Sequence, residues 1–308
     1  MSRLVAVADA IADVVLDVPH LPVRGGDVLA GATSVVAGGS GFNVLVAAAR
    51  QGLPGVLAGT HGTGPFGDLV RAAVAAAGLG VAHAPEPDVD TGFTVALVEP
   101  DGERTFLTSV GAEARLDGER LEHVEVRRDD GVYVSGYDLV YPETGPAVGP
   151  WLSRVAAGCL VVTDPGPLAG DIAVGVLEDV GRRTDWFVCN GREAQRLTGR
   201  GEPAAAASGL ADRWARAGAV VRLGGQGCLV AWRGEVHAVA GHAVEAVDTN
   251  GAGDVHTGVF VAALLGGASP LQAAGRANAA AAIAVTRRGP ATAPTSTELD
   301  DVAPSTQL

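Results

Sequence analysis

Apolar positions along this chain fall into short runs separated by glycine, proline and acidic residues, and the lengths of those runs set the elements. Residues 4–8 form an uninterrupted apolar run that predicts a buried strand, and 14–18 a second extended piece ending at Pro19, with Asp13 between the two. Residues 22–36 mix proline, glycine and β-branched residues without helical period, which predicts a small, partly exposed β layer. The runs 91–98 and 103–110, joined by Pro100-Asp101-Gly102, predict a hairpin that extends this layer. From Gly131 onward the pattern alternates: strand 132–135, helix 148–157, strand 159–163, helix 172–180, strand 186–189, helix 203–217, strands 219–223 and 228–232. Such alternation predicts a mainly parallel sheet with helices on both faces. Strands at 55–60 and 243–247 and helices at 44–51, 68–77, 255–265 and 271–285 complete the expectation, followed by a loosely ordered tail rich in Pro, Thr and Ser. No repeat, heptad pattern or linker divides the chain, so one α/β unit is expected over 1–308, with an appended β layer from about 14–36 and 91–110.

Three glycine turns precede helices in this pattern. In Asp248-Thr249-Asn250-Gly251-Ala252-Gly253-Asp254 the turn follows an expected strand and opens an apolar helix. Unpaired N–H groups and the positive end of a helix dipole, with no Cβ at the glycines, suit an anion such as phosphate. Asp254, in the first helical turn, is placed as a base beside a bound phosphate, and the helix terminus should lower its pKa and keep it ionised. An ordinary strand-to-helix turn would read the same way. The second turn, Gly38-Gly39-Ser40-Gly41-Phe42-Asn43, reads either as a ligand loop or as a tight packing turn; Phe42 breaks the serine-hydrolase pattern. The third, Gly62-Thr63-Gly64-Pro65-Phe66-Gly67, matches the dinucleotide fingerprint, with Glu86 or Asp88 as the ribose acid, and keeps an NAD(P)-dependent oxidoreductase as a remote alternative. Asn190 and Glu193 lie past the end of a strand, where α/β sheets bind ligands, and could equally form a capping box.

Composition narrows the chemistry. All 22 basic residues are arginine, which excludes a Walker A loop, a protein-kinase lysine and any Schiff-base enzyme. A formal charge of −13 opposes broad attraction to nucleic acid or to an anionic membrane, so a small-molecule partner is expected. Cys159, Cys189 and Cys228 lie far apart in apolar surroundings, which suits reduced thiols and a cytoplasmic location. The histidines show no metal-ligand spacing.

Together the segment 248–254, the segment 38–43 with Ala47-Ala48-Ala49-Arg50-Gln51-Gly52, Asn190-x-x-Glu193, Leu223-Gly224-Gly225-Gln226-Gly227 and Ala277-Asn278-Ala279 to Arg288-Gly289 resemble, in order, the ribokinase (PfkB) family of carbohydrate and nucleoside kinases. The resemblance implies a ribokinase-like α/β fold with a β lid, and an ATP-dependent transfer to a hydroxyl of a sugar, or alternatively of a nucleoside. It implies that Asp254 is the general base and that the amides of Gly251, Ala252 and Gly253 form the anion hole. Asp13, Gly39, Ser40 and Asn43 would hold the acceptor, and Asn190, Gly224, Gly225, Gly227 and Asn278 would border ATP. Glu193 would act on Mg²⁺ through water, while Asp248 and the Asn250 carbonyl would lie near a monovalent cation such as K⁺. A homodimer through the lid is a further implication. The chain departs from ribokinase itself at Ser40, where a lysine is usual, at Ile11, and at Tyr137 near an expected acidic sugar contact; Arg222 stands where threonine is common. Arg104, on the lid hairpin, is either a contact for an anionic acceptor or a solvated side chain.

Overall fold

The computed structural model describes residues 1–302. Thirteen strands among them form two sheets: β1 (Leu4–Val7), β2 (Ile11–Asp17), β3 (Thr33–Gly38), β4 (Gly55–Leu57), β5 (Gly80–Val81), β6 (Phe93–Val98), β7 (Arg104–Ser109), β8 (Gly131–Ser135), β9 (Leu160–Asp164), β10 (Trp186–Asn190), β11 (Gly218–Arg222), β12 (Gly227–Trp232) and β13 (Glu235–Ala240). The large sheet runs β13-β12-β11-β10-β9-β8-β1-β4-β5 and the small one β3-β2-β6-β7. Every neighbour pair in the large sheet is parallel except β11 with β12 and β12 with β13.

Alternation along each central strand divides the core in two. Leu4, Ala6, Tyr133, Trp186, Val188 and Val220 point to one face, where the helices Ser40–Arg50, Ala252–Leu265 and Pro270–Ala284 pack. Val5, Val7, Val132, Val134, Phe187, Cys189 and Val221 point to the other, under the helices Thr144–Leu152, Val174–Gly181 and Pro203–Trp214. Strands covered on both sides must be apolar at successive positions, which explains their continuous runs. Truncating a fully buried side chain such as Phe260 to alanine costs about 3–5 kcal/mol. On the first face, Gly258 lets two helices touch closely: a Cβ there would stand 2.4 Å from the Val44 carbonyl oxygen. That contact sets the helix bearing Asn43 against the helix bearing Asp254.

Several expectations shift. The helix expected at 44–51 begins at Ser40, so Ser40 and Asn43 are helical, and Asp13 lies inside β2 rather than between two strands. Of residues 22–36 only the stretch from Thr33 is strand. Residues 243–247 are not a strand; β13 takes the sheet edge, paired with β12 through a turn in which Arg233 and Gly234 both have positive φ, 56° and 81°. The expected loose tail contains a helix at Ser296–Val302, and its remainder, 303–308, lies outside the described residues.

Candidate active site

The helix Ala252–Leu265 starts beyond the C-terminal end of β11, its entry turn made by Gly251 at φ 72°. A side chain at 251 would meet the Pro290 carbonyl oxygen at 2.1 Å, so only glycine fits. Val255 N–H is the first to close an α-helical bond, onto the Gly251 carbonyl, and Ala252 N–H makes a long bond of 3.3 Å to the Thr249 carbonyl. The N–H groups of Gly251, Gly253 and Asp254 meet no acceptor among the described residues. They are the unpaired donors of a helix N-terminus, and beside it lies a cavity of about 580 Å³ lined by Thr249, Ala252 and Gly253.

Asn190, Gly224, Gly225, Gly227 and Asn278, drawn from three separate stretches of chain, line the same cavity. Its size suits one small organic ligand. Asn278 borders the cavity while its amide donates to the carbonyls of Val239 and Ala240 at 3.1 Å and thereby fixes the end of β13. Asn190 and Glu193 form a capping box, Asn190 N–H donating to Glu193 Oε2 at 2.7 Å and Glu193 N–H to Asn190 Oδ1 at 2.9 Å. Glu193 Oε1 carries no such bond.

Asp254 receives a hydrogen bond from the Asn43 amide at 2.8 Å, joining residues far apart in sequence. Burial pushes its carboxyl up to about 8; the Asn43 bond and Arg222 oppose this, and the Asp164 and Asp9 carboxylates add to it. The helix terminus is therefore outweighed, and the expectation of a lowered pKa is corrected. The residue as a whole is half-buried, so solvent moderates this shift. Asp13, on β2, is raised to about 6 by burial and then by Asp9, with the Asn250 side chain opposing.

Ser40 is not a free acceptor contact. Its N–H and hydroxyl both donate to Asp9 Oδ1, at 3.0 and 2.7 Å, and the hydroxyl lies 2.8 Å from that of Ser135. Gly39, at φ 90°, packs its backbone on Asp9 and Ile11. Asp9, at the end of β1, was not singled out in the sequence, although an acid directly after a buried strand is a readable signal. Asp138, beside Tyr137, is fully buried with neither oxygen bonded among the described residues, and burial raises its pKa. His256, one turn into the same helix as Asp254, lines the cavity and is held neutral because burial lowers it to about 3.

Two further readings fail on geometry. The glycines 62–67 cannot cradle a dinucleotide, because Asp90 already fills that helix end, accepting from Phe66 N–H at 3.2 Å and Gly67 N–H at 2.7 Å. Glu86, the suggested ribose acid, is paired with Arg120. The residues at 248–250 do not fit a monovalent cation either. Asp248 Oδ1 accepts from Arg104 at 2.5 Å and from Asn250 N–H at 2.8 Å, and Oδ2 from Gly289 N–H at 3.0 Å. Arg104 is thus neither solvated nor free for an acceptor: it reaches from the small sheet to Asp248 and Thr249 and supplies the positive charge there.

The model of the pfkB family carbohydrate kinases matches residues 1–298. Over 299 residues the chain is 32% identical to the uncharacterized sugar kinase YegV of Escherichia coli (strain K12), covering 96% of this chain and 92% of that protein. It is 30% identical over 288 residues to the ribokinase of Haemophilus influenzae, with 90% of each covered. Among solved structures, ribokinase from Thermotoga maritima matches with a TM-score of 0.81 and 25% identity, over 98% of this chain and 99% of that one.

Proposed function

The chain belongs to the pfkB family of carbohydrate kinases and has the ribokinase-like α/β fold, and from that premise we propose that it transfers the γ-phosphoryl group of ATP to a hydroxyl of an uncharged sugar. The observation that carries this reading is the unfilled helix N-terminus at 251–254, with Asp254 in its first turn and a cavity alongside. ATP would lie in that cavity with its phosphates running past Gly224 and Gly225 to the free amides of Gly251, Gly253 and Asp254. Glu193 would hold Mg²⁺ through water, and the metal would supply charge neutralisation on the phosphates. Asp254 takes the proton of the attacking hydroxyl while Asn43 fixes its carboxylate. Phosphoryl transfer has a loose transition state, so positioning and charge count for more here than base strength.

The electrostatics favour an uncharged acceptor. Asp9 is close enough to raise the carboxyls of both Asp13 and Asp254, and of the nearby cations Arg104 is already paired with Asp248 while Arg222 lines the cavity assigned to ATP. A phosphorylated or carboxylated acceptor would meet repulsion. Asp13 supplies the acceptor's hydroxyls with an acceptor group. A panel of free sugars, sugar phosphates and nucleosides, scored by ATP consumption, tests the reading: a free sugar turns over, whereas turnover confined to nucleosides or phosphorylated sugars contradicts it. The reading includes a cytoplasmic protein and pairing of two copies through the small sheet. Exposed Val35, Phe106, Leu107 and Val110 on or beside β3 and β7 support the pairing, and measurement of molecular mass in solution checks it.

A further inference from the structure

The cavity wall carries a single arginine. Arg222 ends β11, the carboxyl end of a parallel strand, where α/β sheets place their ligands. Its Nη1 donates to Asp164 Oδ2 at 2.9 Å, to Thr257 Oγ1 at 2.9 Å and to the Gly253 carbonyl at 3.0 Å. These bonds hold the guanidinium flat against the first turn of the anion-hole helix: a Cβ on Gly253 would stand 3.3 Å from the guanidinium carbon. The opposite edge is different. Nε and Nη2 have no hydrogen-bond acceptor among the described residues, Glu193 Oε2 standing off at 3.9 Å, and neither nitrogen is sealed from the cleft. The side chain keeps 14% of its surface, in a wall otherwise built of glycine, alanine, valine, asparagine, threonine and histidine.

We propose that Arg222 is a catalytic residue, its free edge binding the phosphate chain and the transferring phosphoryl group, so that the fixed positive charge of this site comes from the end of β11. This rests on the kinase reading above. An arginine suits the task because its planar fork serves two directions at once, one edge anchored by Asp164 and the other presented to phosphate oxygens. The Gly253 carbonyl it holds belongs to the same peptide unit as the Asp254 N–H, so the anchor also aims an anion-hole donor. A charge already fixed in place stabilises the transition state without having to reorganise. Lysine is absent from the chain, and Ser40 is committed to Asp9 and Ser135, so Arg222 is the cation positioned to do this.

Arg222→Ala, Arg222→Gln and Arg222→Lys, assayed with the wild-type protein on its best sugar, test the assignment. Wild-type turnover must be present; its absence from every acceptor removes the kinase reading itself, which is a separate failure. With the wild type active, Arg222→Ala is expected to lose about 100-fold or more in kcat, as for removal of one oxyanion-hole donor. Millimolar guanidinium chloride should restore at least part of that loss in Arg222→Ala and none in the wild type. Arg222→Lys keeps a charge for Asp164, folds, and regains only part of the rate. The proposal is overturned if Arg222→Gln keeps kcat within about threefold of wild type, far short of the loss expected for such a donor. It is equally overturned if a folded Arg222→Ala shows a lowered rate that guanidinium leaves untouched, the pattern of a purely structural arginine.

Discussion

Two helices on this molecule begin with a similar glycine signal and end up as opposites. At Pro65–Ala76 the turn Gly62-Thr63-Gly64 leads into N–H groups that donate to Asp90, a carboxylate brought in from the loop ahead of β6. At Ala252–Leu265 the turn leads into N–H groups at Gly253 and Asp254 that donate to nothing among the described residues, and an arginine rather than an acid flanks them. A third start, Ser40–Arg50, sides with the first, since Ser40 N–H donates to Asp9. The lesson is that glycines before a helix make an anion site only where the fold withholds its own carboxylate. That decision is made by residues far away in sequence.

The comparison can be broken most forcefully at its open member. Asp254→Asn is expected to lower kcat by about 10³-fold or more while leaving nucleotide affinity near wild type, the upper range of a general base. Equal turnover in that variant would remove Asp254 as base. Gly253→Val comes next: its Cβ pushes on the Arg222 guanidinium and its methyls crowd the open amides, for an expected loss of about 100-fold. A folded variant with normal kcat would place the anion site elsewhere.

Acidity sharpens the contrast further. With the Asp254 carboxyl raised to about 8, log kcat/KM should climb by one per pH unit below that value and level off above it. A flat profile from pH 6 to 9 would contradict the burial argument. The same shift carries a stability sign. The unfolded chain releases this proton near the ordinary value of 3.8 and the folded chain only near 8, so the unfolded state binds fewer protons in between, and stability falls as pH rises through that window. Asp254→Asn should flatten the fall, seen as a higher Tm than wild type at pH 8.

The filled helix end gives smaller effects of another kind. Asp90→Ala removes a cap and should cost about 1–2 kcal/mol of stability, measured by denaturant unfolding, with kcat and KM almost unchanged. Smallest of all, exchanging K⁺ for tetramethylammonium should alter kcat less than twofold, because Arg104 already neutralises Asp248. A strict requirement for K⁺ would show that Arg104 leaves Asp248 during turnover.

Much of the fold was legible because strands buried on both faces must be apolar throughout and the helices between them must carry stripes. The edge strand β13 escaped notice because half of it faces solvent, though Arg233-Gly234 between two alternating runs was a usable turn signal. At the site, Asn190, Gly224, Gly225, Gly227 and Asn278 on the cavity wall were readable from motifs, whereas Gly241, His242 and Val244 were not. What each side chain does there was less readable. Ser40, Asn278 and Asp248 carry the right chemistry for ligands, yet their hydrogen bonds go to Asp9, to β13 and to Arg104, partners that only folding supplies. The pKa of Asp254 was misjudged for the same reason: the helix dipole is a local property, and the burial that outweighs it is not.

The most direct test follows backbone amide resonances while β,γ-imido-ATP and Mg²⁺ are added to the whole chain. The account predicts large shifts at Gly251, Gly253 and Asp254, with Phe66, Gly67 and Ser40 scarcely moving. Shifts centred on the helix ends at Phe66 or Ser40, with 251–254 silent, would contradict it.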